Sequence, residues 1–185
     1  MKKILLSIAS LFLAWQSLKL LQYIDEIAIT SWILTIFIAW IINLFITGVF
    51  AFSGFAFPTQ KLLPNNYYKV HHPKKLKKTY KLLNVDLFRR MLLATLWKSQ
   101  AQRQKYFNGK KTGMANLAEQ SMKSEFGHLI PFLILSIVSI YLLIIGLAKL
   151  AVFTLLINVI GNFYPIILQR HHRMRIQLIE ERRQL

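Results

Sequence analysis

Glu125 and His128 stand three residues apart at the head of an apolar stretch, so on a helix their side chains share one face. A carboxylate beside an imidazole fixes its tautomer and raises its basicity, which is the orienting half of a general-base arrangement. A structural link at a helix entrance has the same spacing, and the residue pattern leaves both readings open. Farther along, Asn158, Asn162, Gln169 and Arg173 fall within roughly 60° of one another at about 100° per residue, and Gly161, Pro165 and His172 extend that stripe. A helix that is polar along one side turns it toward other helices or a wet cavity, as interhelical glue or as a path for substrate.

Other chemistries lack their residues. Cysteine is absent, which removes disulfides, thiolate nucleophiles and Cys-based metal sites. No GxSxG elbow, HExxH pair or Gly-rich phosphate loop occurs. His128 is followed by Leu129-Ile130-Pro131-Phe132-Leu133, so the His-x-x-x-x-Asp pattern of many glycerolipid acyltransferases is missing too. Helix-borne diiron sites need two Glu-x-x-His motifs plus further glutamates, and the expectation is that no metal is bound.

The elements that must position these residues are membrane helices. Of 185 residues, 55% are apolar and 17% charged, against about 25% charged for a soluble domain. High hydropathy together with a net charge of +17 excludes intrinsic disorder. A hydrocarbon core ~30 Å thick takes about 20 helical residues. Ile4–Leu21, Ile27–Phe52, Gly127–Ile145 and Leu150–Leu168 meet that length, and the short links at Asp25-Glu26 and Gly146–Lys149 make them two antiparallel hairpins. The expected fold is an all-α integral membrane protein: an N-terminal hairpin (1–57), a basic loop region with short amphipathic helices (58–126), a C-terminal hairpin (127–169) and a basic tail (170–185). Met1–Lys3 carries two Lys/Arg, Pro58–Phe126 fifteen and the tail five, so the positive-inside rule places both termini and the loop in the cytoplasm of a multi-pass cell-membrane protein. Lys2-Lys3 before an apolar run also resembles a signal peptide, but no small-x-small cleavage pattern stands at the right distance, and the first helix is expected to be retained.

Pro58, Pro64 and Asn65-Asn66 stop the second helix. Lys69, Lys74, Lys75, Lys77, Lys78 and Lys81 follow, interleaved with Tyr67, Tyr68 and Tyr80. These lysines suit anionic lipid head groups, at about 1 kcal/mol per residue near the surface. A sharper alternative is a cradle for the phosphates of an acyl carrier such as coenzyme A. Nucleic acid is not expected, because a loop tethered between spans is basic in any case. Val85, Phe88, Leu92 and Leu96 recur at helical spacing with basic flanks, which suits a helix lying in the interface or one packing in a cytoplasmic cap.

The C-terminal half carries a resemblance. Glu125-x-x-His128-Leu-Ile, a hydrophobic hairpin, then Asn162-Phe-Tyr-Pro165-Ile-Ile-Leu-Gln169-Arg170-x-x-Arg173-x-Arg175 is similar to the glycosyl-4,4'-diaponeurosporenoate acyltransferases. These bacterial membrane enzymes add a fatty acyl chain to a glycosylated carotenoid in staphyloxanthin synthesis. The likeness extends to Leu63-Pro64-x-x-Tyr67-Tyr68-Lys69 and Lys81–Arg89, and covers roughly Leu63–Arg175. Members carry Tyr-Asn after the Gln-Arg pair and Pro before the last Arg, where this chain has His171-His172 and Met174. The resemblance implies an acyltransferase that moves an acyl group from acyl-CoA or another thioester to a hydroxyl of a glycosylated carotenoid or similar lipid, with no bound cofactor. His128, oriented by Glu125, would accept the hydroxyl proton. Asn162, Gln169 or Arg170 would hydrogen-bond the oxyanion, Arg173 and Arg175 would hold phosphates, and Asn158 would complete the substrate-facing stripe. The alternative from a different class is a non-catalytic scaffold, assembly factor or transporter subunit whose polar stripe only packs helices.

Overall fold

The computed structural model describes residues 1–95, 98–99 and 113–184, and every regular element among them is helical. In chain order these are α1 (Lys2–Gln22), α2 (Trp32–Ala56), α3 (Asn65–Tyr68), α4 (Pro73–Leu82), α5 (Val85–Ala94), α6 (Gly113–Ile144), α7 (Ala148–Asn158) and α8 (Tyr164–Gln184). A 3-10 turn covers Thr59–Leu62, and a π-turn at Val159–Phe163 joins α7 to α8. Four helical stretches are long and apolar enough to cross a membrane: α1, α2, α6 and the continuous α7–α8 rod. Two expected boundaries move. The second span starts at Trp32, where Ser31 accepts a hydrogen bond from the Leu34 amide and caps the helix. The helix of the third reaches back at least to Gly113, because the polar residues ahead of Gly127 continue it.

The chain divides into two compact units, Met1–Thr59 with Phe126–Phe163, and Gln60–Glu125 with Tyr164–Leu185.

The first unit is the apolar one. Its core joins Ile38, Ala39, Ile42 and Ile46 of α2 to Leu135, Val138 and Leu142 of α6, with Leu150 and Ala151 of α7. Ile33, Ile137 and Ile144 stay exposed, as the outer face of a spanning helix must be. Between such helices lipid supplies no hydrophobic drive, so close approach and polar contacts hold them. Ser10 of α1 donates to the Val49 carbonyl (2.9 Å) and pairs with the Ser53 hydroxyl (2.9 Å). Gly48 completes the approach: a Cβ there would meet Leu13 Cδ1 at 2.6 Å. Asn43 of α2 donates to the Thr154 carbonyl of α7 (3.1 Å) and so ties the two helices together. The reversal between α6 and α7 uses Gly146 at φ +84°, where a side chain would be strained.

The second unit is built around Tyr68, Tyr80 and Val85, with Ile166, Ile167, Leu168, Met174 and Ile176 of α8. Asn84 takes the left-handed conformation (φ 48°) that Asn tolerates best among side-chain-bearing residues, and so turns α4 directly into α5. α5 buries Val85 and lays Phe88 on Tyr164, with ring centroids 5.4 Å apart. Leu87 and Met91 remain exposed on its other side. Leu96, the last position of its expected apolar row, lies outside the described residues, as does part of the 58–126 stretch.

Candidate functional site

The chemistry-bearing residues gather in two clusters, one in each unit.

The first unit ends in the π-turn, and the sequence places Pro165 just beyond it, without an amide hydrogen to donate back along the helix, so that the turn takes up the break in the α-helical ladder. Asn158 ends α7 and Asn162 lies within the π-turn, 0% and 1% exposed. Asn158 Nδ2 donates to the Phe132 carbonyl (3.0 Å) and to Ser136 Oγ (3.3 Å). Asn162 Nδ2 donates to Asn158 Oδ1 (3.0 Å) and to Thr47 Oγ1 (3.1 Å). Asn162 Oδ1 then meets His128 Nδ1 at 3.0 Å.

The polarity of this chain follows from its first member. A peptide carbonyl only accepts, so Asn158 must present its amino group to Phe132 and its oxygen to Asn162. Asn162 must answer with its amino group, which leaves its oxygen toward the imidazole. His128 therefore carries a proton on Nδ1, and the neutral ring has its lone pair on Nε2. The imidazole is oriented by an amide, whereas the i,i+3 spacing had pointed to Glu125.

In the second unit Glu125 is fully buried. Its Oε1 accepts from Arg170 Nε at 2.8 Å and its Oε2 from Arg173 Nη2. Arg173, 5% exposed, also donates to the Tyr68 carbonyl (3.2 Å) and to Ser121 Oγ (3.4 Å). Both guanidiniums lie against tyrosine rings: Arg170 is 4.9 Å from the Tyr67 centroid and Arg173 is 5.3 Å from that of Tyr68. Burial, reinforced by the Glu125 charge, pushes the Tyr68 phenol up to about 12, so it stays protonated and donates to the Gln60 carbonyl (3.0 Å). Burial raises the Tyr67 phenol as well, again with help from Glu125. With both oxygens held by guanidiniums, Glu125 has the geometry of a positioning group. Glu125 of α6 and Arg170 of α8 thus meet directly.

The remaining expected residues separate. Gln169 is buried in α8. Arg173, expected at phosphates, is enclosed by its own protein partners, while Arg175 is exposed and lines a cleft with α4. His172 is half-buried in α8. Among the described residues no three His, Asp or Glu side chains come together as metal ligands do. Sequence reasoning gave no role to Asn43, Thr47 or Ser121, nor did it seat the arginines on Tyr67 and Tyr68. For Asn43 and Thr47 a signal existed: two polar residues at i,i+4 spacing in an otherwise apolar span.

A family model described as glycosyl-4,4'-diaponeurosporenoate acyltransferase matches residues 64–182. No curated protein and no solved structure matches the chain.

Proposed function

The chain belongs to the glycosyl-4,4'-diaponeurosporenoate acyltransferase family, whose model covers well over half of it, and from that premise we propose that it transfers a fatty acyl group from a thioester donor to a hydroxyl of a glycosylated lipid, with His128 as the general base. The observation that carries this reading is the amide relay from the Phe132 carbonyl through Asn158 and Asn162, which supports an imidazole with Nε2 free to take a proton.

The acceptor hydroxyl oxygen attacks the thioester carbonyl carbon while His128 Nε2 takes the hydroxyl proton. The tetrahedral oxyanion collapses, the carbon–sulfur bond breaks, and the imidazolium returns its proton to the departing thiolate. Ester and thiol leave, and His128 is again neutral. Asn162 holds the ring through this cycle, since its oxygen strengthens its acceptance from Nδ1–H as the ring becomes positive. Within the second unit Glu125 positions Arg170, whose side chain is 35% exposed and so presents a fixed cation to an anionic group.

The distribution of Lys and Arg supports a multi-pass placement in the cell membrane with both termini cytoplasmic, so that a soluble thioester reaches the protein from that side. A glycosylated carotenoid is the acceptor the family description favours.

Mass spectrometry of lipid and pigment extracts tests the assignment, with cells that express the chain compared with cells that express His128→Gln at equal membrane abundance. The acylated product falls by about 10²–10⁴-fold, the contribution of a positioned general base. Unchanged product in His128→Gln removes the imidazole from the mechanism. No ester in either strain removes acyl transfer and leaves a scaffold whose amides only join helices.

A further inference from the structure

A second feature lies in the second unit, apart from the Glu125 cluster. α4 and α8 enclose a cleft of about 1000 Å³. From α4 it is lined by Lys74, Lys75 and Lys77, and from α8 by Arg175. Along α8, His171, Met174, Arg175 and Leu178 follow one another at i, i+3, i+4 and i+7, so a single helical face supplies that wall. Tyr80 stacks on His171 at 3.9 Å between centroids and braces the wall against α4. No carboxylate is among the described residues that line the cleft.

A solvated basic loop spreads its lysines into water, where each is screened separately. Here four cations from two helices converge on one concavity. Five lysines fall within the ten residues of α4, which has no acidic residue in its first turn to offset the positive helix end. Like charges at this density repel, and a concave wall of lower dielectric focuses their field. A multiply charged anion seated there relieves that repulsion and gains charge-assisted hydrogen bonds. The second character of the cleft is apolar: Met174 and Leu178 stand on the same wall as Arg175, with Pro73 opposite. A free inorganic anion makes no use of such a surface.

We infer that the cleft between α4 and α8 binds the phosphate groups of a ligand that joins clustered phosphates to an apolar portion. Two sources offer this chemistry, a coenzyme A-type acyl carrier and an anionic phospholipid head group. If the carrier is the source, the cleft is the donor subsite of the acyl transfer proposed above, and the inference deepens that reading. Binding is scored without turnover, so failure of the cleft and failure of acyl transfer are read separately.

The test uses the full chain purified in an uncharged detergent. Isothermal titration is run in one arm with coenzyme A and in the other with dioctanoyl phosphatidylglycerol in mixed micelles. The triple variant Lys74→Gln, Lys77→Gln, Arg175→Gln removes three exposed cations from the cleft. A control variant, Lys2→Gln, Lys3→Gln, Lys61→Gln, removes the same charge from exposed positions elsewhere. At least one ligand binds saturably, loses tenfold or more in affinity in the cleft variant and changes less than twofold in the control. Which arm responds identifies the source. Equal weakening in both variants, or no saturable binding of either ligand, overturns the inference.

Discussion

The two units bury polar groups by opposite means. The first encloses amides, hydroxyls and an imidazole, and its relay from His128 through Asn162 and Asn158 ends on a backbone carbonyl with no carboxylate or guanidinium among its members. The second encloses a carboxylate at 0% exposure and meets it with two guanidiniums, one of them only 5% exposed. Neutral dipoles cost little to bury once paired, whereas an ion taken from water costs several kcal/mol even after relaxation. The unit between lipid-facing helices uses the cheaper kind of group. The more polar unit can hold ions, because neighbouring tyrosine faces and backbone oxygens satisfy what the ion pair leaves over.

Removal of Glu125 breaks this contrast most severely. Glu125→Ala strands the Arg173 guanidinium without its counter-charge and lowers stability by about 3–5 kcal/mol. Thermal unfolding in detergent registers this as a large loss of midpoint temperature or as absent protein. The paired change Glu125→Gln with Arg173→Met costs less than Glu125→Ala alone, since no buried cation is left unanswered. If the double variant is worse, the ion pair is not what holds the second unit.

Asn158→Leu sharpens the other half of the comparison. Interhelical amides contribute only about 0.6 kcal/mol each on average, up to ~1.7, so membrane abundance changes little. The tautomer of His128 loses its fixed reference, and the acylated product falls roughly tenfold, the factor that about 1.4 kcal/mol carries. Product in extracts, normalised to membrane protein, separates this from misfolding. A proportional loss of both would make Asn158 a packing residue.

The smallest effect belongs to the surface of the second unit. Asp86 pairs with Arg89 at 2.9 Å and with Arg90 at 3.7 Å, but these side chains are 41% to 65% exposed. Asp86→Asn therefore costs below about 1 kcal/mol, and the difference vanishes at molar salt. A cost comparable with that of Glu125→Ala would show that exposure does not separate the two kinds of ion pair.

Sequence alone carried the four apolar stretches, because a run of some 20 uncharged residues has few other uses. It carried the ends of those helices poorly. The part of α6 ahead of Gly127 was hidden because hydropathy registers the lipid-facing part of a helix and not its polar continuation. Asn158 and Asn162 were legible as polar residues in an apolar span, but the π-turn that follows Asn158 and holds Asn162 was not, since a proline is compatible with a kink, a break or an inserted residue. Spacing showed that Glu125 and His128 share a helical face and said nothing about which neighbours reach them first. Those neighbours lie 45 and 48 residues away for Glu125 and 34 for His128, distances at which a single sequence has no periodicity to offer.

The origin of the relay at Phe132 carries a consequence for how such a chain diverges. A peptide oxygen survives every side-chain substitution, so the direction of the whole series is anchored in a group that mutation does not reach. Aspartate at 158 would face that oxygen with a second acceptor, and aspartate at 162 would do the same to its neighbour. Drift at these two sites is thus ratcheted: keeping the direction of the series takes a donor-and-acceptor side chain at both places, or an exchange of the two in concert.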